Sequence, residues 1–163
     1  MMRTKTWTCS MGIVLVLAAL TVGAAAGSLP ALSPAGRDRC PVCGMFVAKY
    51  PDWVAQVRFR DQETVFFDGA KDFFKYYFGV KKYHPARSSD DVAAVYVTDY
   101  YTMQPIDAAG AFYVVGSDIY GPMGRELIPF ASTTDAETFM RDHRGRQMLP
   151  FAAVTPELVN SLD

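Results

Sequence analysis

Residues 53–79, WVAQVRFRDQETVFFDGAKDFFKYYFG, contain the patterns that decide the fold class of this chain. From Trp53 to Arg60 apolar and polar residues alternate, which predicts a strand with one buried face. A polar turn at residues 61–63 leads into a second apolar run, TVFF at residues 64–67. These two strands are close enough in sequence to form an antiparallel hairpin.

A helix is predicted directly after the hairpin, with Asp68 as its N-terminal cap. Its apolar residues recur at helical spacing and so share one face: Ala70, Phe73, Phe74, Tyr77 and Phe78. Gly79 ends the helix, and the run VAAVYVT at residues 92–98 predicts a third strand. The order of elements in this half of the chain is therefore β-β-α-β.

The second half of the chain repeats this order of elements with different residues. Its elements are predicted in four places: strands at residues 112–115 and 127–130, a helix that begins with the capping box of Thr134 and Glu137, and a closing strand at residues 148–154. Pro129 indicates a strand at a sheet edge, and Thr155 with Pro156 begins a short terminal helix. The sequence thus predicts an α+β protein built from two small β-β-α-β units.

The composition and charge exclude several classes of protein. The chain has 163 residues, of which 50% are hydrophobic and 20% are charged, so it can bury a core as one domain or two very small ones. Its formal net charge of −1 provides no basic surface, and a nucleic-acid partner is therefore not expected. The sequence shows no Ser-His-Asp constellation, phosphate-binding glycine loop or paired-carboxylate motif. We predict a carrier and not an enzyme.

The N-terminal region has the pattern of a secretory signal peptide. Arg3 and Lys5 precede a long stretch without charged residues, and Met11–Leu20 is a continuous apolar run within it. Small residues follow this run, so we expect cleavage after Ala26, which removes residues 1–26. This pattern predicts export to the periplasm.

An uncleaved membrane anchor is the alternative, because apolar residues continue as far as Leu32. Residues 6–32 would then associate with the membrane, although their strongly apolar core of roughly 16 residues is shorter than the ~20 that a spanning helix needs. Residues 27–39 contain two prolines and predict a flexible tether. The folded, metal-binding domain is predicted to occupy residues 40–163.

The stretch CPVCGM, which begins at Cys40, concentrates the reactive side chains of the chain. Pro41 fixes a bend and Gly44 permits a positive φ, which predicts a tight turn. The N–H groups of such a turn point at the first sulfur and favour its thiolate. Thiolates at Cys40 and Cys43 can chelate one metal ion, and the thioether of Met45 can reach the same ion.

Several interpretations of this cysteine pair remain open from the residues alone. Haem attachment is excluded, because it requires a histidine where Gly44 stands. A structural zinc site would need two more Cys or His ligands, and His84 and His143 are far apart in the sequence. A disulfide, either structural or active in thiol–disulfide exchange, suits an exported protein. A Cu(I) site uses soft sulfur ligands, and Met45 favours it because zinc has little use for a thioether.

A second methionine lies in an unusual position. Met123 lies in the turn YGPMG, outside any predicted helix or strand, and we predict it to be a further sulfur ligand. Met103 is a weaker candidate of the same kind. Met140 falls on the apolar face of the second predicted helix and His84 lies in a charged loop, so neither is expected to bind metal.

These motifs resemble the NosL family, the copper-binding accessory proteins of nitrous oxide reductase assembly. Four patches carry the resemblance: CPVCGM at residues 40–45, FFDG at residues 66–69, VYVTD at residues 95–99, and GPMG at residues 121–124 followed by Phe130 and Ala131. Together they cover about residues 40–155. The resemblance implies a fold of two small β-β-α-β units, similar to part of the organomercurial lyase.

The resemblance also implies a function. Family members bind Cu(I) through the Cys-Gly-Met segment, which corresponds to Cys43 and Met45 here and extends to Cys40 and Met123. We therefore expect an exported metallochaperone that delivers Cu(I) to a periplasmic cuproenzyme, by resemblance nitrous oxide reductase. Family members are commonly lipoproteins, whereas this chain lacks a cysteine directly after its small residues, so lipid attachment is not expected. The alternative function is a thiol–disulfide redox protein that uses the Cys40/Cys43 pair.

Overall fold

The computed structural model describes residues 29–163. The predicted signal peptide, residues 1–26, lies outside the described residues. In the described part of the chain, every helix is too short or too polar to cross a membrane.

The first unit contains one four-stranded antiparallel sheet and two consecutive helices. Its elements are β1 (Ala55–Phe59), β2 (Thr64–Phe67), α1 (Ala70–Phe78), α2 (Val80–Tyr83), β3 (Val92–Thr98) and β4 (Pro105–Asp107). The strand order is β2-β1-β3-β4, so β1 pairs with its hairpin partner on one side and with β3 on the other. Helix α1 begins three residues after β2 ends and is joined to α2 by Gly79.

The second unit contains a three-stranded antiparallel sheet, a short hairpin and two helices. Its elements are β5 (Phe112–Val115), β6 (Tyr120–Gly121), β7 (Gly124–Arg125), β8 (Ile128–Phe130), α3 (Thr133–Asp142), β9 (Gln147–Pro150) and α4 (Pro156–Asn160). The sheet has the order β8-β5-β9, and β6 pairs only with β7. The β6–β7 hairpin is therefore an insertion between the first two sheet strands of this unit.

Both units have the predicted β-β-α-β order, and the α+β fold class is confirmed. In each unit the first strand lies at the centre of its sheet, between its hairpin partner and the strand that follows the helix. Pro129 lies in β8 at the edge of the second sheet, as predicted. The terminal helix α4 also begins at Pro156 as predicted, and the Thr155 side chain accepts a hydrogen bond at its start.

The prediction that Asp68 caps α1 is wrong. The cap residue is Gly69, which provides no side-chain hydrogen bond to the first turn of the helix. The carboxylate of Asp68 accepts a hydrogen bond from the thiol of Cys43. A tertiary contact therefore replaces the local capping interaction that the sequence indicates.

The predicted ends of two elements in the second unit are also wrong. Helix α3 is capped by Ser132, whose hydroxyl accepts from the N–H of Asp135 at 3.1 Å. Ser132 has the extended backbone that a cap requires, whereas Thr134 of the predicted capping box already lies within the helix. The closing strand β9 ends at Pro150, because residues Phe151–Ala153 form a 3₁₀ turn.

Helix α1 contacts both units and lies at the centre of the core. Its Phe73 ring is 6.0 Å from Phe67 of β2, and its Phe74 ring is 5.0 Å from Tyr113 of β5. Because the helix is covered on more than one side, Tyr76 is fully buried although it lies outside the predicted apolar face. Phe78, which belongs to that face, is 41% exposed. The core thus fixes α1, and with it the side chains of its first turn.

Part of the predicted tether lies against the first sheet. We call residues 29–34 the N-terminal segment. The side-chain amide of Gln56 exchanges two hydrogen bonds with the backbone of Leu32, each 2.9 Å long. The guanidinium of Arg58 donates to the carbonyl of Pro30. Both side chains belong to β1 and are buried, so this segment covers the polar face of that strand.

Candidate metal centre

The CPVCGM loop forms the tight turn that the sequence predicts. The N–H of Gly44 donates to the carbonyl of Cys40 at 2.8 Å, and the N–H of Cys40 donates to the carbonyl of Met45 at 2.9 Å. Gly44 has a φ of +81°, a left-handed conformation that residues with a side chain rarely adopt. The N–H groups of Val42 and Cys43 lower the pKa of the Cys40 thiol.

Two carboxylates meet the thiols of this loop. The Cys40 thiol donates to Oδ2 of Asp72 at 3.2 Å, and the Cys43 thiol donates to Oδ1 of Asp68 at 3.1 Å. One potential ligand atom from each of these four side chains lies within 4.8 Å of the others. Cys40 is buried, Cys43 is partly exposed, and within residues 29–163 both are free thiols. We call this group of four side chains the Cys/Asp cluster.

The start of α1 places the two carboxylates next to each other. Asp68 immediately precedes the cap residue Gly69, and Asp72 lies in the first turn of the helix. The hydrogen bonds from the thiols show that both carboxylates face the CPVCGM loop. The β1–β2 hairpin determines the position of this helix start, because β2 ends at Phe67.

Burial suppresses the ionisation of both thiols in the metal-free protein. It raises the pKa of Cys43 to about 12, and the adjoining Asp68 carboxylate adds to the rise. Burial also raises the pKa of Cys40 well above its usual range, with Asp72 acting in the same direction. The N–H groups at the Cys40 sulfur lower its pKa but do not outweigh the burial. The predicted effect of these N–H groups on Cys40 therefore has the expected direction, but burial is the larger effect in the metal-free protein.

Asp68 brings an unsatisfied hydrogen-bond acceptor into the cluster. The residue is 1% exposed, and among the described residues its Oδ2 atom has no hydrogen-bond partner. A buried carboxylate oxygen without a donor is costly, and a cation is one of the partners that can satisfy it. The donor set of the cluster therefore suits a metal ion.

The two predicted methionine ligands are placed differently. The backbone N–H of Met45 lowers the pKa of the Cys43 thiol, and the side chain of Met45 is partly exposed. Met123 lies in the turn between β6 and β7 and is 43% exposed. Its carbonyl accepts a hydrogen bond from Nζ of Lys71 at 2.9 Å. Ligation by both cysteines and both methionines remains a prediction.

The other candidate side chains take part in different contacts. Met140, in α3, packs against the apolar core of the second unit, as predicted. Nδ1 of His84 lies 3.2 Å from the Tyr76 hydroxyl, and Nδ1 of His143 lies 3.3 Å from the carboxylate of Asp118. Among the described residues, the Cys/Asp cluster includes neither histidine.

Sequence reasoning missed both carboxylates of the cluster. The local pattern assigns Asp68 to a helix cap and gives Asp72 no role. The sequence signal that points to them is their proximity at the start of an aromatic helix, within and just after the FFDG patch. The packing of the CPVCGM loop against this helix end is a tertiary contact that no local pattern shows.

Comparison with known proteins identifies the family of this chain. A family model described as NosL matches residues 31–159 of the chain. The chain belongs to the NosL family. The matched range includes the whole Cys/Asp cluster and the β6–β7 hairpin, and it confirms the resemblance that the sequence motifs indicate.

Two solved structures of proteins named NosL are similar to this chain. The crystal structure of the copper chaperone NosL from Shewanella denitrificans matches with a TM-score of 0.67 and 23% sequence identity, over 78% of this chain and 97% of that chain. The solution structure of apo-NosL from Achromobacter cycloclastes matches with a TM-score of 0.46 and 31% identity, over 64% of this chain and 87% of that chain. The first match supports the α+β fold. A comparison with curated proteins finds no significant match.

Proposed function

We propose that this protein is a metallochaperone that carries one Cu(I) ion as its cargo. The observation that carries the proposal is the Cys/Asp cluster, in which two free thiols and two carboxylates bring ligand atoms within 4.8 Å of one another. Membership of the NosL family supports the choice of copper, and a structure of similar fold is described as a copper chaperone. The protein acts as a carrier and not as an enzyme.

Soft sulfur atoms hold the copper in the proposed complex. Cys40 and Cys43 supply thiolates, Met45 supplies a neutral thioether, and Met123 approaches from the β6–β7 turn. Cu(I) prefers such ligands to carboxylate oxygens. The two carboxylates of the cluster therefore act beside the ion. They accept the thiol hydrogen bonds in the empty protein and place negative charge next to the cation in the loaded protein.

The unequal exposure of the two thiols gives copper transfer a direction. Cys43 is partly exposed, whereas Cys40 is 1% exposed. A ligand from the partner can therefore reach the copper on the Cys43 side while Cys40 still holds it. The incoming ligand binds before the last ligand of this site leaves, so transfer proceeds through shared-ligand intermediates without release of free copper.

The client and the location follow from the family and from the N-terminal sequence. We infer that the client is nitrous oxide reductase or its assembly machinery, and that the protein is exported to the periplasm. Intact-mass analysis of the purified protein should then find a mature chain that begins near Gly27. A full-length N-terminus would contradict this and favour a membrane anchor formed by residues 6–32, and an acylated N-terminus would contradict it in favour of a lipid anchor.

The alternative function, thiol–disulfide exchange, is disfavoured by the electrostatics of the cluster. The thiolate is the attacking species in that chemistry, and the pKa of the more exposed thiol, Cys43, is raised to about 12. Only a very small fraction of Cys43 is then ionised at neutral pH. Metal binding also requires loss of the thiol proton, but the bond that forms between the cation and the thiolate compensates for this cost.

An anaerobic titration of the reduced protein with Cu(I), against a chromophoric competitor, tests the proposal. Zn(II) is the informative second metal, because two thiols and two carboxylates are also zinc ligands by type. We expect one Cu(I) to bind far more tightly than Zn(II), and X-ray absorption to show a shell dominated by sulfur. Equal competition by zinc, or a shell rich in oxygen or nitrogen, would contradict the copper proposal.

The substitution Met45→Leu separates a copper carrier from a redox protein. A thioether takes no part in thiol–disulfide exchange, but it contributes one bond to Cu(I). Met45→Leu conserves volume and should cost less than about 1.5 kcal/mol of folding stability. We expect it to lower copper affinity by about tenfold or more, since even outer-shell changes cost this much. Met140→Leu in α3 is the matched control. If Met45→Leu bound copper as tightly as the parent does, Met45 would not be a copper ligand.

A further inference from the structure

Lys71 is a buried lysine next to the Cys/Asp cluster. It precedes Asp72 in α1 and is only 2% exposed, which is rare for a lysine unless its ammonium group is fully partnered. Nζ donates to the carbonyls of Met123 at 2.9 Å and Leu162 at 3.4 Å, and it lies 3.4 Å from the carboxylate of Asp163. Three oxygen acceptors match the three N–H groups of the ammonium.

Glu126 reaches the same helix turn from the chain between β7 and β8. It is 3% exposed, and its Oε1 accepts from the N–H of Lys71 at 2.5 Å and from the N–H of Leu127 at 2.9 Å. The carboxylate lies between Gly69 and Gly121, where a Cβ at Gly121 would come within 3.1 Å of it and a Cβ at Gly69 would overlap it. Glu126 therefore supplies the acceptor that the cap residue of α1 lacks.

Together these two side chains join the FFDG and GPMG patches of the sequence. The first patch leads into α1 of the first unit, and the second forms the β6–β7 hairpin of the second unit. The backbone of Met123 is thus fixed relative to the helix turn that bears Asp72. The side chain of Met123 is not buried by this arrangement, because 43% of its surface is exposed.

We infer that Lys71 and Glu126 are positioning residues for copper binding. They tie the β6–β7 turn to the first turn of α1, which bears Asp72, so that the thioether of Met123 joins the cysteine sulfurs around the ion. Neither side chain touches the copper in this scheme. The inference rests on the proposed function, because it requires a copper cargo.

A double-mutant cycle between Lys71 and Met123 tests this inference. Lys71→Met keeps the length of the side chain but removes the ammonium group that holds the Met123 carbonyl. We expect Lys71→Met and Met123→Leu each to lower Cu(I) affinity by about tenfold, measured against a chromophoric competitor. Because Lys71 acts through Met123, the two losses should not add. The Cu(I) affinity of the double variant should equal that of the single variant with the lower affinity.

Lys75→Met is the matched control for the loss of a lysine from α1. Nζ of Lys75 bonds to Asp163 at 2.5 Å, one helical turn beyond Lys71. This variant removes an ion pair to the same carboxylate but leaves the bond to the Met123 carbonyl intact. Its copper affinity should equal that of the parent.

Gly121→Ala provides a second route if Lys71→Met fails to fold. The added methyl group crowds the Glu126 side chain at 3.1 Å and so shifts the hairpin without removing a charge. Circular dichroism confirms that the fold is retained. Copper affinity should fall in the parent but not in the Met123→Leu background.

Three outcomes would overturn the inference. If Lys71→Met lowered Cu(I) affinity by the same factor in the parent and in the Met123→Leu background, Lys71 would act on the fold or on Asp72. A parental affinity for Met123→Leu would exclude Met123 from the site, while the cysteine-based copper site of the proposed function would stand. A parent that binds no Cu(I) would reject the proposed function as well.

Discussion

Each thiol of the Cys/Asp cluster must lose its proton before it can bind a metal ion. Burial and the adjoining carboxylates hold the pKa of Cys43 at about 12 and that of Cys40 well above its usual range. Both thiols are therefore protonated at neutral pH in the empty protein. Loading is then an exchange of protons for a cation, since the bound form of each cysteine is the thiolate.

Copper binding is accordingly expected to release protons and to strengthen as the pH rises. With two free thiols in the cluster, one Cu(I) displaces up to two protons. The apparent affinity should rise about tenfold per pH unit for each proton released. A pH indicator in weakly buffered, anaerobic solution measures the release directly. Cys43→Ser should release about one proton fewer, and an affinity independent of pH would show that the thiols of the empty protein are already ionised.

Local sequence signals at this site identify the thiols but not the carboxylates. The residues Cys40, Cys43 and Gly44 lie within one turn, so the turn and the positive φ of its glycine could be predicted from neighbouring residues. Asp68 and Asp72 become neighbours of the thiols only when the loop packs against the start of α1. An aspartate just before a helix is commonly a cap, and this local signal leads to the wrong role for Asp68.

Helix α1 receives its N-terminal acceptor from the other unit of the protein, and this has a consequence for stability. Burial raises the pKa of Glu126 to about 8, with Asp72 adding to the rise and Lys71 opposing it. The ordinary pKa of this carboxyl is 4.5, so the unfolded chain loses the proton at a lower pH than the folded protein does. Protonated Glu126 still accepts from the N–H groups of Lys71 and Leu127 through Oε1.

Stability is therefore expected to fall as the pH rises between these two pKa values, and Glu126→Gln should remove this fall. The contribution of Glu126 is fully present below the unfolded pKa, and each pH unit above it costs about 1 kcal/mol until the folded pKa is reached. Glutamine keeps the same acceptor without a titrating proton. Urea unfolding at about pH 5 and about pH 8 measures the difference. Glu137→Gln, at an exposed position of α3, should retain the parental pH dependence, and identical profiles for parent and Glu126→Gln would contradict the assignment.

At the scale of the whole molecule, the two β-β-α-β units contribute different parts of the site that we propose. The first unit supplies the carboxylates and α1, and the second supplies the β6–β7 hairpin and Glu126. The duplicated order of elements could be predicted, because each strand and helix has its own local periodicity. The contact between the units could not be predicted, since the sequence places Lys71 at an ordinary polar position of a helix and Glu126 in a loop.

The N-terminal segment, residues 29–34, is a further part of the fold that composition alone does not reveal. Its prolines suggest a tether, yet Gln56 binds the backbone of Leu32 and the Tyr96 hydroxyl donates to the carbonyl of Leu29 at 2.6 Å. A chain that starts at Gly27 keeps all of these contacts. Export with cleavage after Ala26 would therefore leave the first sheet covered.

A chain truncated to begin at Ala35 should be less stable than one that begins at Gly27, by on the order of 2 kcal/mol. The truncation removes the hydrogen bonds of the N-terminal segment, each of which contributes roughly 1 kcal/mol net, and the entropy of ordering the segment offsets part of that gain. Chemical denaturation of the two chains measures the difference. Tyr96→Phe should destabilise the longer chain by up to about 1 kcal/mol and have no effect on the shorter one, because the carbonyl of Leu29 is then absent. Equal stability of the two chains would show that residues 29–34 contribute nothing to the folded domain.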